Sequence, residues 1–302
     1  MSRLQSLSVN GILLLDKPHG FSSNAALQKV KRLFQAKKAG HTGSLDPLAT
    51  GMLPICFGQA TKFSQYLLDA DKKYCVTMKL GVCTTTGDVE GEIVKTRSVP
   101  SFSENDIKKV FDQFLGDISQ IPSMYSALKY HGKPLYQLAR QGITVERESR
   151  VIKIYDLILQ SLENNFITFV VHCSKGTYVR TLVDDMGEKL NCGAHVTKLR
   201  RLLVGQYTEN QMITMAQLET TRDHVDSPDL KKYLLPIDTI VHAWPDVTVT
   251  PTMIFYLKQG QSIMSSQAPK SGWIRLLQQN GQFVGIGEVL NGKIIPRKIL
   301  KS

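Results

Sequence analysis

One carboxylate stands out by its setting. Asp46 is the only acidic residue in Lys38-Ala39-Gly40-His41-Thr42-Gly43-Ser44-Leu45-Asp46-Pro47-Leu48-Ala49-Thr50-Gly51-Met52-Leu53-Pro54, a stretch holding three glycines and two prolines. Glycine permits positive φ, whereas proline fixes φ and removes a hydrogen-bond donor. The stretch therefore reads as an irregular loop held in one shape, neither helix nor strand. Lys37, Lys38 and His41 add positive charge just upstream. A lone carboxylate in a rigid loop of a basic chain is a candidate nucleophile or acid/base group. Asp46 would equally serve to set up an Asp-Pro turn. A phosphate-cradling loop is excluded, because no Gly-Lys-Ser/Thr follows at the required spacing.

A second candidate is Arg180. Ser174-Lys175-Gly176-Thr177-Tyr178-Val179-Arg180-Thr181-Leu182 leads into a helix with Val179, Leu182, Val183 and Met186 as its apolar stripe. A cation near a helix N-terminus opposes the helix dipole, so its placement wants a reason. A buried carboxylate would supply one, and plain surface exposure is the other reading. A third cluster interleaves cations and aromatic rings: Tyr125, Lys129, Tyr130, His131, Lys133, Tyr136, Arg140, Arg147 and Arg150. Cations neutralise phosphates and rings stack on bases, so the mix suits structured RNA. On composition alone it would serve equally as a solvated helical hairpin.

The elements that must position these groups follow from patterning. Gly11–Leu15 reads as a buried strand ending at Asp16-Lys17-Pro18-His19-Gly20. Ser22 or Ser23 then caps a helix whose inner face is Ala26, Leu27, Val30, Leu33 and Phe34. Leu53–Phe57 reads as a strand, Ala60–Leu68 as a short helix, Lys73–Val82 and Ile93–Thr96 as strands. Ser103-Glu104-Asn105-Asp106 opens a helix in the manner of a capping box, and Gly116 is expected to end it. Pro134–Arg140 reads as a helix with proline in its first turn. Val151–Gln160 and Phe166–Cys173 form a hairpin around Glu163-Asn164-Asn165. His195–Tyr207 is a further strand region, followed by a linker-like stretch through Asp223–Pro228 and Leu235-Pro236. Beyond Trp244-Pro245-Asp246, Trp273–Leu277 and Phe283–Gly287 alternate with glycines as short strands.

At 302 residues the chain accommodates one large domain and a small one, and its hydrophobic fraction of 42% is that of a globular protein. The net charge of +11 suggests a polyanionic partner, nucleic acid or an anionic membrane surface, with a merely solvated basic surface as the alternative. The early apolar run Ile12–Leu15 is too short to span a bilayer, and no membrane signal is present. Five scattered cysteines with no Cys-x-x-Cys pair indicate neither a zinc site nor a disulfide framework, which fits a reducing cytoplasm.

GHTGSLDPLATGMLP closely resembles the signature loop of the TruB family of tRNA pseudouridine synthases, and the family's catalytic aspartate maps onto Asp46. DKPHGFSS resembles the other N-terminal motif, in which a Lys-Pro pair, here Lys17 and Pro18, supports that loop. The family places a tyrosine that stacks on the target base at the position of Tyr74. Without the resemblance, Tyr74 is a sheet residue with its hydroxyl at the surface. IPSMYSALKYHG resembles the start of an insertion that closes over RNA like a thumb, which gives Lys129, Tyr130, Arg140 and Arg147 an RNA-binding role. SKGTYVRTL resembles the motif whose arginine pairs with the catalytic aspartate and whose tyrosine lines the base pocket, here Arg180 and Tyr178. Arg180 is then expected to keep Asp46 ionised and oriented. Leu199 aligns with a residue that packs against the nucleotide, and an ordinary core leucine is its other reading. His41 resembles a histidine that helps hold the RNA loop, and a turn histidine satisfied by backbone is its alternative.

The resemblance implies an α+β pseudouridine synthase fold: a central mixed, largely antiparallel sheet flanked by helices, with a thumb-like insertion at about 121–150 inside a catalytic domain spanning 1–245. A small PUA-type β-barrel over 246–302 completes it. The implied reaction is isomerisation of the T-loop uridine at tRNA position 55, reached by base flipping. No cofactor and no metal are expected. The expected partner is the T-arm of tRNA, with no membrane, no obligatory protein partner, a monomeric state and a cytoplasmic location. Two readings compete. A non-catalytic tRNA-folding chaperone would use the charge, thumb and C-terminal domain but would have no purpose for Asp46 and Arg180. A guide-RNA-dependent synthase of the dyskerin type is disfavoured by the thumb-like insertion and the lack of long charged tails.

Overall fold

The computed structural model describes residues 7–223 and 230–301. Its centre is a ten-stranded mixed sheet. The main path runs Ile213–Thr214, Gly11–Lys17, Thr50–Phe57, Ala194–Val204, Lys72–Leu80, Phe166–Cys173, Arg150–Glu163 and Gly116–Gln120. Two junctions are parallel, Gly11–Lys17 with Ile213–Thr214 and Ala194–Val204 with Thr50–Phe57; the other pairings are antiparallel.

The strand Gly11–Lys17 is covered on both faces, and so reads as a continuous apolar run rather than an alternation. Leu13 and Leu15, with Leu53, Ile55 and Phe57 of the neighbouring strand, face the main core. That core is closed by the helices Ser23–Leu33, Glu104–Asp112 and Val179–Lys189. Ile12 and Leu14, with Met52 and Cys56, face a second core built from Phe63, Leu67, Val204, Tyr207 and Ile286. Ile286 belongs to a separate four-stranded sheet, Asp246–Thr248, Gly272–Leu277, Phe283–Leu290 and Lys293–Ile299, with the helix Pro251–Lys258 and its own core.

Several expectations are refined. The glycine-rich stretch is irregular only in its middle: Ala39–His41 and Thr50–Phe57 are strands that pair with each other, so the loop proper lies between His41 and Thr50. Local glycine and proline content hid strands that tertiary pairing imposes. Lys72–Leu80 stops at Gly81, and Val82–Thr84 turns away to pair with Ile93–Thr96. The helix Glu104–Asp112 has the expected Ser103 capping box but ends at Gln113. Gly116 begins the edge strand Gly116–Gln120 instead. Pro134 is the N-cap of Leu135–Ala139, not its first helical residue. The linker-like stretch is replaced over its described parts by the helix Met215–Asp223 and by Leu235, which exchanges backbone hydrogen bonds with Ile12. The rest of that stretch, 224–229, lies outside the described residues.

The insertion carries a small core of its own, Met124, Leu135 and Leu138. Above it Lys129–Tyr130 and Lys133–Pro134 pair across a turn at His131-Gly132, both residues having positive φ. Lys129, Tyr130 and Arg140 are exposed. Arg147 is half-buried at the neck and donates from Nη1 to the Pro122 carbonyl at 3.1 Å.

Candidate active site

The loop that carries Asp46 is pinned from both sides. Lys17, the last residue of its strand, is fully buried. Its ammonium donates to the carbonyls of Phe21 at 2.6 Å, Pro18 at 3.0 Å and Pro47 at 3.4 Å. A buried cation thus ties the start of the first helix to the residue after Asp46. Burial pulls the Lys17 pKa down to about 8, with the Asp46 charge opposing the shift. Ser23 holds Leu45 twice, accepting from its N–H at 2.7 Å and donating to its carbonyl at 3.0 Å. Asp46 also sets up the expected turn, its carbonyl accepting from Ala49 N–H at 3.0 Å. The turn role is therefore real.

Arg180 is 8% exposed and gathers three other segments of the chain. Its Nε meets Asp46 Oδ2 at 2.9 Å and its Nη2 donates to Asp46 Oδ1 at 3.3 Å. This is the side-by-side pairing that gives arginine–carboxylate contacts their orientation. The same guanidinium donates to the carbonyls of Tyr125 and Thr86, both at 2.8 Å. It also lies 3.5 Å from Asp88 Oδ2. Asp88 is 2% exposed and is held by Thr86 Oγ1 at 2.5 Å and by the Glu90 N–H at 3.0 Å. The helix-start cation anticipated to need a buried carboxylate has one in Asp88, alongside the part-exposed carboxylate of Asp46. Sequence reasoning missed Asp88, because it lies in a turn-rich stretch where aspartate ordinarily caps backbone.

The electrostatics qualify the expectation for Arg180. The Asp46 side chain keeps 36% of its surface exposed, so one face is open. The protein packed around its other sides nonetheless pushes its pKa above the usual carboxylate value. Arg180 is the strongest opposing influence and Asp88 adds to the rise. Arg180 orients Asp46 and favours its charge, but burial outweighs that pull.

Tyr74 pairs in register with Arg201 on one side and Val171 on the other. Burial raises its pKa and the positive charge of Arg201 opposes the rise. Arg201 is itself 1% exposed; its Nε donates to the Met52 carbonyl at 2.6 Å and its Nη2 to Gly43 at 3.1 Å. One guanidinium therefore connects Tyr74, the loop and the neighbouring strand. The only sequence signal for Arg201 was a cation two positions after buried Leu199, on the inward face of a strand.

Tyr178 is half-buried, and its backbone is clamped by Gln120. The Gln120 amide accepts from Tyr178 N–H at 2.7 Å and donates to its carbonyl at 3.1 Å. Gln120 is 2% exposed and immediately precedes the insertion, so the same residue fixes the insertion's root. Leu199 is 7% exposed, within the main core and in register with Val76. His41 ends its short strand with Nδ1 buried and lacking a hydrogen-bond partner, so the backbone-satisfied turn histidine is not what the structure contains. Burial and Arg201 lower its pKa, which keeps the ring neutral at neutral pH. Lys17, Pro18, Asp46 and Arg180 are thus brought together, and Arg201 links Tyr74 to the same loop. Lys129, Tyr130 and Arg140 stand on the insertion, whose base Arg180 holds through Tyr125.

Among the described residues one group, Cys83, Asp184 and Glu188, brings three possible metal-ligand atoms within 4.8 Å of one another. Arg97 already meets both Glu188 carboxylate oxygens, at 2.8 and 2.9 Å.

Comparison with known proteins agrees along the chain. Residues 31–179 match the model of the TruB family pseudouridylate synthase N-terminal domain, 180–242 the tRNA pseudouridylate synthase B C-terminal domain, and 245–300 the pseudouridine synthase II TruB C-terminal model. A protein named tRNA pseudouridine synthase B from Coxiella burnetii (strain RSA 493 / Nine Mile phase I) is 55% identical over 97% of this chain and 96% of its own. Its namesake from Escherichia coli O9:H4 (strain HS) is 50% identical over 99% of this chain and 97% of its own. Among solved structures, a chain in the crystal structure of a Cbf5-Nop10-Gar1 complex superposes with a TM-score of 0.75 at 25% identity, covering 96% of this chain and 84% of that one. The chain belongs to the TruB family of pseudouridylate synthases.

Proposed function

We propose that this chain isomerises a uridine of tRNA to pseudouridine at a centre built on Asp46, and that its target is the T-loop uridine at position 55. The observation that carries the reading is the Asp46–Arg180 pair: a carboxylate gripped on both oxygens, with an open face, in a loop fixed by a buried lysine. The relatives that match along nearly the whole chain are named for action on tRNA.

The reaction breaks the N1–C1′ bond, turns the base, joins C5 to C1′, releases the C5 proton and returns a proton to N1. No oxidation is involved. A uridine inside a folded loop must first be flipped out. Asp46 then supplies the negative charge, either by adding to the nucleotide or by stabilising positive charge developing at C1′. Arg180 holds the carboxylate in line, and Asp88 keeps Arg180 from turning away. Tyr74 stacks on the flipped base and assists removal of the C5 proton, directly or through water. Tyr178 and Leu199 wall the pocket. The unpartnered His41 nitrogen is available to the rearranged RNA loop. The insertion at 121–150 closes over the RNA, with Lys129, Tyr130 and Arg140 toward it.

In this reading the enzyme works as a monomer in the cytoplasm, without guide RNA or protein partner, through a catalytic unit at 1–245 and an RNA-binding unit at 246–302. The test is to incubate an unmodified tRNA transcript with the protein alone and map pseudouridine by chemical labelling. Pseudouridine at position 55 supports the reading. Modification elsewhere, or only with added guide RNA, overturns it.

A further inference from the structure

A second positively charged feature lies away from this centre. A cavity of about 290 Å³ opens where four parts of the chain meet, lined by Asn10, Lys37, Lys38, Gln59, Lys62 and Lys301 among others. No carboxylate and no aromatic ring lies among its described lining residues. Its walls are locked. Gln59 N–H donates to Asn10 Oδ1 at 2.8 Å, and the Gln59 amide exchanges hydrogen bonds with the Lys301 backbone at 2.5 and 2.8 Å. Lys62 donates to the Ile299 carbonyl at 2.8 Å and to Gln59 Oε1 at 3.2 Å. Gly58 at the floor has φ +54°, and a Cβ there would meet Asn10 Oδ1 and the Val9 carbonyl at 2.3 Å. Only glycine permits that approach.

Four lysines are therefore held around one concavity by a fixed framework, and none of them forms an ion pair among the described residues. Burial is the main influence that pulls the Lys62 pKa down, and the charges of Lys301, Lys38 and Lys298 add to it. Gathering like charges without a counter-charge costs stability, and an anion bound among them would relieve it. With no ring to stack a base, the cavity suits sequence-independent contact with phosphate.

Its position fits a remote contact. In the register of the first strand pair, Lys17 lies opposite Gly51 beside the Asp46 loop, and Gly11 lies opposite Phe57 beside the cavity. Six steps along a strand at about 3.3 Å each separate the two ends by roughly 20 Å. We propose that this lysine-lined cavity is an anchoring site for the phosphodiester backbone of the RNA substrate, gripping it roughly 20 Å from the uridine on which Asp46 acts. The site gives affinity without reading sequence and leaves the chemical step to the loop.

This inference rests on the reading that the substrate is RNA, and the experiment separates the two. Binding of a full-length tRNA transcript is measured across a salt series for wild type, for Lys38→Gln/Lys301→Gln, and for Lys108→Gln/Lys109→Gln. The last removes the same charge from the exposed face of the helix Glu104–Asp112. Single-turnover pseudouridine formation is measured at saturating RNA. The inference expects the cavity variant to bind roughly tenfold more weakly at 0.1 M salt. Its slope of log affinity against log salt should be shallower by about 1–2, with an unchanged single-turnover rate. The control should bind as wild type does. Wild-type affinity and slope in the cavity variant would overturn the inference, as would an equal loss in the control. A loss confined to the rate at saturation would also overturn it, because that marks a structural effect. Wild type that turns over the transcript while the cavity variant binds unchanged removes only the anchoring site; wild type that neither binds nor modifies it removes the RNA reading with it.

Discussion

Asp46 sits between opposing influences: protein packed around it favours the neutral acid, and the Arg180 guanidinium favours the anion. With packing the larger, its folded pKa lies above the unfolded value. A carboxyl of that kind binds its proton more tightly when folded, so it supports the fold at low pH and loses that support as pH rises through the folded pKa. Asp46→Asn, which mimics the neutral acid, is expected to be as stable as wild type or more so at pH 7. Urea titrations should show the difference shrinking as the pH falls below the folded pKa. The same shift puts the acid limb of the single-turnover rate at a pH above the ordinary carboxylate range, because the proposed chemistry uses the anion. An acid limb at or below about pH 4 would contradict it. Arg180 belongs to the same scale. Arg180→Ala leaves Asp88 buried without its cation, for which about 3 kcal/mol of lost stability is expected. Arg180→Lys retains a charge but loses the two-point grip on Asp46 and one or both carbonyl contacts. It should fold better than Arg180→Ala while recovering little turnover, a difference that thermal melts and single-turnover assays would show together.

The elements explain how the loop keeps its shape. Strands Thr50–Phe57 and Ala194–Val204 pair in parallel over only two positions, Thr50 with Arg200 and Gly51 with Arg201. At that junction Gly51 has φ +94°, and a Cβ would lie 2.3 Å from the Arg201 carbonyl oxygen and 2.8 Å from its nitrogen. Both are backbone atoms that cannot swing aside. Gly51→Ala is expected to cost roughly 3 kcal/mol in a denaturant titration. It should slow turnover by displacing Arg201 from Gly43 and Tyr74. The sequence made part of this scale legible. The buried first strand, the Ser22-capped helix and the Ser103 capping box carried local signals in apolar spacing and cap residues. The loop motif and the SKGTYVRTL stretch pointed to Asp46 and Arg180. The strand Gly116–Gln120 had none of this, because its burial alternates weakly and it lies at the sheet edge. Asp88, Gln120 and Arg201 were illegible for a shared reason. Each is a polar side chain whose role depends on a partner tens of residues away, and neither periodicity nor turn chemistry registers such a contact.

At the scale of the molecule, the C-terminal sheet is fastened to the back of the central one rather than tethered loosely. Trp244 stacks on Trp273 at 5.2 Å and meets Tyr66 edge-on at 5.1 Å, while Phe63 meets Phe283 at 5.7 Å. Removing residues 246–302 is therefore expected to lower the melting temperature by uncovering Phe63 and Tyr66, in addition to weakening tRNA binding. A truncated protein that melts as wild type does would contradict this packing argument. The net charge of +11 is carried in part by the insertion, whose Lys129 and Arg140 are exposed, and in part by the lysines around the junction cavity. The molecule thus presents cations on the insertion and at the cavity, apart from a centre that itself holds a guarded carboxylate. The central claim, that this carboxylate does the chemistry without guide RNA, is tested most directly by tritium release. A T-arm stem-loop carrying tritium at C5 of its uridines is incubated with wild type and with Asp46→Asn, no other RNA being present. The account predicts release by wild type and none above background by Asp46→Asn, with both proteins retaining the stem-loop on a filter. Release by Asp46→Asn, or tight binding by wild type with no release, would contradict it.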